Sequence, residues 1–148
     1  MGARRMLIAL LVLAFGAVAS AAEQSGYAPG KVVYDFSHPD AQDLKNILDR
    51  VSMLQNIYGN NPFESSIVIV VHEAAIPLFA SRNQDAHADL MRRAAGLAMG
   101  EVIEFRLCRM SARMQGFGDG DFHEFVNMVP MADAELAQLQ RSGYAYLN

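Results

Sequence analysis

Residues 66–72 read SIVIVVH: five aliphatic side chains in a row between Ser66 and His72. A strand with one wet face alternates apolar and polar residues. An unbroken β-branched run is the pattern of a strand covered on both faces, as at the centre of a parallel sheet. Parallel neighbours need crossovers, so strands and helices should alternate on either side of this run. Upstream, residues 31–36 (KVVYDF) predict a first strand. Ser37-His38-Pro39-Asp40 then breaks it, with Pro39 near a helix start and Ser37 or Asp40 as its cap. Leu44, Ile47, Leu48, Val51, Leu54 and Ile57 recur at spacings of three and four, one apolar helical stripe, and Gly59-Asn60-Asn61-Pro62 ends it.

Downstream, residues 74–81 predict a short helical turn around Pro77, and residues 85–99 (DAHADLMRRAAGLAM) a helix closed by Gly100. Residues 102–108 (VIEFRLC) predict a third strand. Residues 109–115 (RMSARMQ) predict a short helix stopped by Gly116, Gly118 and Gly120. A fourth strand or extended edge is expected at 125–131, a helix from Asp133 to Arg141 ahead of Gly143, and a short fifth strand at 144–147. The expected fold is a three-layer α/β/α domain with a mostly parallel sheet of about five strands.

Composition bounds the rest. The chain has 148 residues, 52% hydrophobic and 19% charged, enough for one domain with a sizeable core. It is too apolar for disorder and lacks a Gly-X-Y period. A net charge of −4 argues against nucleic acid as a partner. One cysteine excludes an internal disulfide and a four-cysteine zinc site. At the start, Arg4 and Arg5 precede an uncharged run over residues 6–19, and Ala19-Ser20-Ala21 is a small-x-small site. That pattern predicts a signal peptide over 1–21, cleaved after Ala21, and a periplasmic or secreted protein with no membrane attachment after cleavage. An uncleaved anchor is the alternative, although the run is shorter than the about 20 residues of a spanning helix. Losing Arg4 and Arg5 removes two positive charges and takes the net charge from −4 to −6. Residues 22–30 (AEQSGYAPG) are expected to form a flexible leader, and residues 31–148 a single α/β domain.

In an open parallel sheet, ligand crevices lie outside the carboxyl ends of the strands. The first strand ends at Asp35-Phe36-Ser37-His38, the second at His72-Glu73 and the third at Cys108-Arg109, so these residues should share one rim. Helices start at the same rim, where N–H groups and the positive dipole end favour an anion. Cys108 stands where a strand hands over to a helix, close in sequence to Arg106, Arg109 and Arg113. Such surroundings favour the thiolate, the species that attacks sulfur or binds a soft metal. Covered by its loop, the same thiol is an inert small hydrophobe. His72 either hydrogen-bonds loop backbone or orients or deprotonates a reacting group near Cys108. No Asp or Asn can be placed behind it from the sequence, so a hydrolase triad is not supported.

His38 and His123 fall in loops and His87 on a charged helix face, all expected at the surface. Cys108, Met110, Met114, His123, Met128 and Met131 are soft ligands close in sequence, but their spacing matches no metal motif, and Met110/Met114 reads as an ordinary apolar helix face. No metal and no cofactor is assigned. The GFGDG stretch at 116–120 follows a helix rather than opening one and is expected to be a mobile loop beside Cys108. Ile76, Leu78 and Phe79 either form an exposed cluster marking a homo-oligomer interface or belong to the core.

Four segments in order resemble the DsrE/DsrF-like family of small α/β proteins, in particular its exported branch. They are KVVYDF (31–36), SIVIVVHEAAIPLFA (66–80), a strand ending in Cys108, and VPMADAELAQLQRSGYAYLN (129–148). The resemblance spans residues 31–148. It implies a five-stranded parallel sheet in three layers and association into trimers or hexamers. Cytoplasmic members relay sulfur as a cysteine persulfide to a partner protein, and their active cysteine follows the third strand, which is the position of Cys108. Carried over, this makes Cys108, and no other residue, the sulfur-bearing position; the residues around it, read for themselves, add Arg109 and the helix N-terminus as stabilising the anion and His72 as assisting proton transfer. The partners implied are a sulfur donor or acceptor protein or a small sulfur compound. Export departs from the cytoplasmic relay, whose partners would be absent. The rival is a non-catalytic binding or assembly module with an inert thiol.

Overall fold

The computed structural model describes residues 26–148. The expected signal peptide and residues 22–25 of the leader lie outside the described residues, and residues 26–30 carry neither helix nor strand. The chain then runs β1 (Lys31–Phe36), α1 (Ala41–Tyr58), β2 (Ser66–Val71), a 3₁₀ segment (Glu73–Phe79), α2 (Gln84–Ala98), β3 (Ile103–Cys108), α3 (Arg109–Met114), β4 (Val126–Val129), α4 (Ala132–Arg141) and β5 (Ala145–Leu147). The five strands lie in the order β4-β3-β2-β1-β5 and every pairing is parallel. This is the three-layer α/β/α architecture expected from the strand and helix alternation.

Topology divides the layers unequally. The chain steps from β1 through β2 and β3 to β4 in one direction. Right-handed crossovers then place α1, α2 and α3 on one face. It next returns past the whole sheet to pair β5 with β1, so α4 covers the opposite face, over β1 and β2. Strand residues alternate accordingly. Val32, Tyr34, Phe36, Ile67, Ile69, Val71, Phe105 and Leu107 join Leu44, Ile47, Leu48 and Val51 of α1 in the larger core. Val33, Val68, Val70 and Cys108 join Ala132, Leu136 and Leu139 of α4 in a smaller one.

Local chemistry explains the ends of α1. Asp40 caps it by accepting from Gln42 N–H at 2.7 Å, and Gly59 stops it at φ 86°, its N–H returned to the Gln55 carbonyl. Two expectations change. Gly100 does not supply the left-handed turn after α2; Glu101 does, at φ 59°. Ile76, Leu78 and Phe79 are buried, so they are core and not an exposed interface. The 3₁₀ segment folds back onto β3, α2 and α3, turning all three side chains inward.

Tyr34 sits in the larger core beneath the Arg50 guanidinium, 4.9 Å from ring centroid to Cζ. Burial lifts its hydroxyl pKa, which the Arg50 charge opposes and Tyr58 reinforces. The folded state therefore keeps a proton that the unfolded chain releases near pH 10, so this contribution is complete below about pH 10 and is lost as pH rises above it. Tyr34→Phe is expected to flatten the alkaline fall in stability, measured as urea midpoints near about pH 8 and about pH 11.

Candidate functional site

Cys108 ends β3 and caps α3. Its Sγ accepts hydrogen bonds from Ser111 N–H and from Ala132 N–H, each at 3.4 Å. The first donor belongs to the opening turn of α3 and the second is the first residue of α4, so two helix starts converge on one sulfur. Strand alternation explains this: Leu107 faces the larger core, and Cys108 therefore faces α4. The residue is only 3% exposed. Expected at an open rim, the thiol instead lies under the segment that joins β4 to α4.

Arg106 and Arg109 are both engaged by carboxylates. Arg109 Nε donates to both carboxylate oxygens of Asp119, at 3.0 and 2.9 Å. Arg106 bonds Glu104 at 2.6 Å and also Glu135 of α4. Burial pulls the Arg106 pKa down, but the hydrogen bonds and charges of Glu104 and Glu135 outweigh it and hold the guanidinium above its ordinary value. The hydrogen bonds to the sulfur come from backbone N–H groups, and Arg109 Nε is engaged by Asp119.

His72 is likewise engaged by a carboxylate. The Val71↔Leu107 register puts His72 and Cys108 one step further along neighbouring strands, yet His72 Nε2 lies 2.5 Å from Asp35 Oδ1. The Tyr146 hydroxyl donates to Asp35 Oδ2 at 2.5 Å. A carboxylate only accepts, so the imidazole donates through Nε2, and its Nδ1 lies 3.9 Å from Glu73 Oε1. The sequence offered no partner for His72; Asp35 becomes one because β1 and β2 pair in register, Asp35 opposite Val70. Tyr146 carried no readable signal, since only the return of β5 to β1 brings it there. Glu73 follows at φ 48°, its carbonyl accepting from Gln115 Nε2 at 2.7 Å. A non-glycine residue in this left-handed region is strained and is held there by its surroundings.

The soft-ligand residues separate. Met110 and Met114 are exposed, 50% and 83%, rather than forming a core face. With Arg109, Arg113, Asp119 and Pro130 they line a cleft of about 510 Å³ beside α3. His123 stacks on Phe125, ring centroids 5.6 Å apart, with Nε2 buried and lacking a partner, so it is not the solvated loop residue expected. His38 is exposed, as read, and His87 is half-buried. The GFGDG loop is pinned by buried Phe117 under the Arg82 guanidinium, by the Arg109–Asp119 pair and by the Asp121 carboxylate, which accepts from Gly118 N–H at 2.7 Å.

Fold and site together define a small α/β/α protein with a wholly parallel sheet and a single thiol covered at the carboxyl end of β3. No family model matches the chain, and no curated protein matches it. Among solved structures it is similar to MTH1491, a protein of unknown function from Methanobacterium thermoautotrophicum. The TM-score is 0.65 at 20% identity, over 80% of this chain and 97% of that one. At this identity the likeness shows the fold alone.

Proposed function

We propose that the protein is an exported sulfur carrier of the DsrE/DsrF-like kind, assembled as a homo-oligomer, that holds sulfane sulfur as a persulfide on Cys108. The observation that carries this reading is the convergence of two helix-start N–H groups on the Cys108 sulfur. Such donors suit a sulfur that bears negative charge during transfer. The thiol first loses its proton to solvent. Its thiolate attacks the outer sulfur of a persulfide donor R–S–SH; a new S–S bond forms on Cys108, the donor S–S bond breaks, and R–S⁻ leaves. An acceptor thiolate attacks the outer sulfur of the loaded cysteine in turn and returns Cys108 to the thiolate. No oxidant or reductant is consumed. His72, engaged by Asp35 and Tyr146, is assigned to tying β2, β1 and β5 together rather than to moving the thiol proton.

The second reading, a binding or assembly module with an inert thiol, draws on the 3% exposure of Cys108. Intact mass after incubation with polysulfide separates the two. The sole cysteine lets any gain be assigned without mapping. The carrier reading expects a gain of about 32 Da, one sulfur atom. A thiol that resists both polysulfide and alkylating reagent until the chain is denatured establishes the inert module instead.

A further inference from the structure

We infer that residues 130–132 and the first turn of α4 form a latched cover over Cys108, opened by release of Glu135 from Arg106. The inference rests on the carrier reading for its purpose, but not for its geometry.

Three observations define the cover. Met110 N–H donates to the Pro130 carbonyl at 3.3 Å, and Ala132 N–H donates to Cys108 Sγ at 3.4 Å, so the segment is stitched across the thiol from both sides. A persulfide adds a second sulfur about 2 Å from the first, and with Cys108 3% exposed the closed arrangement leaves no open path for that atom. Second, α4 is lightly held for the helix that covers β1 and β2. Only Ala132, Leu136 and Leu139 are buried along it. Elements with few buried apolar contacts open at lower cost than the rest of the fold. Third, the two ends of α4 differ. Its far end is fastened: Gly143 turns the chain at φ 87°, the Tyr144 hydroxyl donates to Ser66 Oγ at 2.9 Å, and β5 pairs with β1. Its near end joins β4 through Pro130 and Met131 and, among the described residues, has one charged tie to the sheet, Glu135 on Arg106; Arg106 keeps Glu104 as a second partner when Glu135 leaves. Because Pro130 and Met131 tie Ala132 to Val129, which pairs with Cys108, opening is confined to unwinding of the first turn of α4, and it leaves Arg106 with Glu104 as its counter-charge. The released Glu135 carboxylate gains solvent.

The test is the rate at which methyl methanethiosulfonate converts native Cys108 to its S-methylthio form, with methanesulfinate as leaving group. Glu135→Gln keeps the side-chain shape and removes the charge. It is expected to react about tenfold faster than the parent, with faster amide exchange at Ala132. Val51→Ala in the opposite core serves as the comparison, read at urea concentrations that equalise global stability. It is expected to leave the rate unchanged. An unchanged rate in Glu135→Gln overturns the cover, as does equal acceleration in Val51→Ala, because the thiol is then reached only by global unfolding. Failure of the carrier reading looks different: the thiosulfonate reacts with the folded chain while polysulfide adds no sulfur, and the cover stands.

Discussion

Cys108→Ser is expected to abolish the mass gain from polysulfide completely, because the chain has no other cysteine to carry sulfur. The same substitution has a structural cost that an exposed rim site would not have. Serine Oγ can accept from Ser111 and Ala132 N–H as the sulfur does. Its own hydrogen, however, enters a small core of Val33, Val68, Val70, Leu136 and Leu139, which offers side chains with no acceptor. Burying that unpaired donor is expected to cost about 1–3 kcal/mol. Cys108→Ala trades one penalty for another, since both N–H groups lose their acceptor. Intact mass and urea midpoints measured on the same samples, with the parent chain alongside, separate the two effects. A retained gain of about 32 Da in Cys108→Ser would move the sulfur site elsewhere.

Phe105→Ala is expected to lower unfolding stability by about 3–5 kcal/mol, a large share of the roughly 5–15 kcal/mol typical of a domain. Phe105 is fully buried on β3, between β2 and β4. Its ring centroid lies 5.8 Å from that of Phe79 and 5.5 Å from that of Phe125, the latter edge-on. Removing it strips the 3₁₀ segment of its support and opens a void the rigid sheet cannot close. Phe105→Leu should recover much of the loss. Urea denaturation gives the value, and a cost below about 1 kcal/mol would mean that the surrounding rings collapse into the space.

Much of the fold was legible because each element carries its own periodicity. The aliphatic run of β2 needs cover on both faces, and the α1 stripe needs one apolar neighbour; neither demand depends on knowing the other elements. Legibility failed where a side chain's surroundings come from distant sequence. Met110 and Met114 have helical spacing yet remain exposed, because α3 is a short helix at the rim with no further layer outside it. Ile76, Leu78 and Phe79 could be read as surface or core, and the fold-back of their segment onto β3 decided for core. At the site, the position of Cys108 at the end of a strand was readable. Its burial was not, because it depends on α4, which begins 24 residues later, after β4.

The sequence alone determined the order of strands and helices, the parallel layered architecture and the placing of Asp35, His72 and Cys108 at strand ends, since local hydrophobic periodicity and turn chemistry specify these. The tertiary structure alone decided the partners: Asp35 and Tyr146 for His72, Asp119 for Arg109, Glu135 for Arg106, and the α4 N-terminus for the thiol. The reason is physical. Periodicity states which side of an element must be buried, but the group that buries it is set by strand order, and here the return of β5 to the edge of β1 carries α4 across the face on which Cys108 lies.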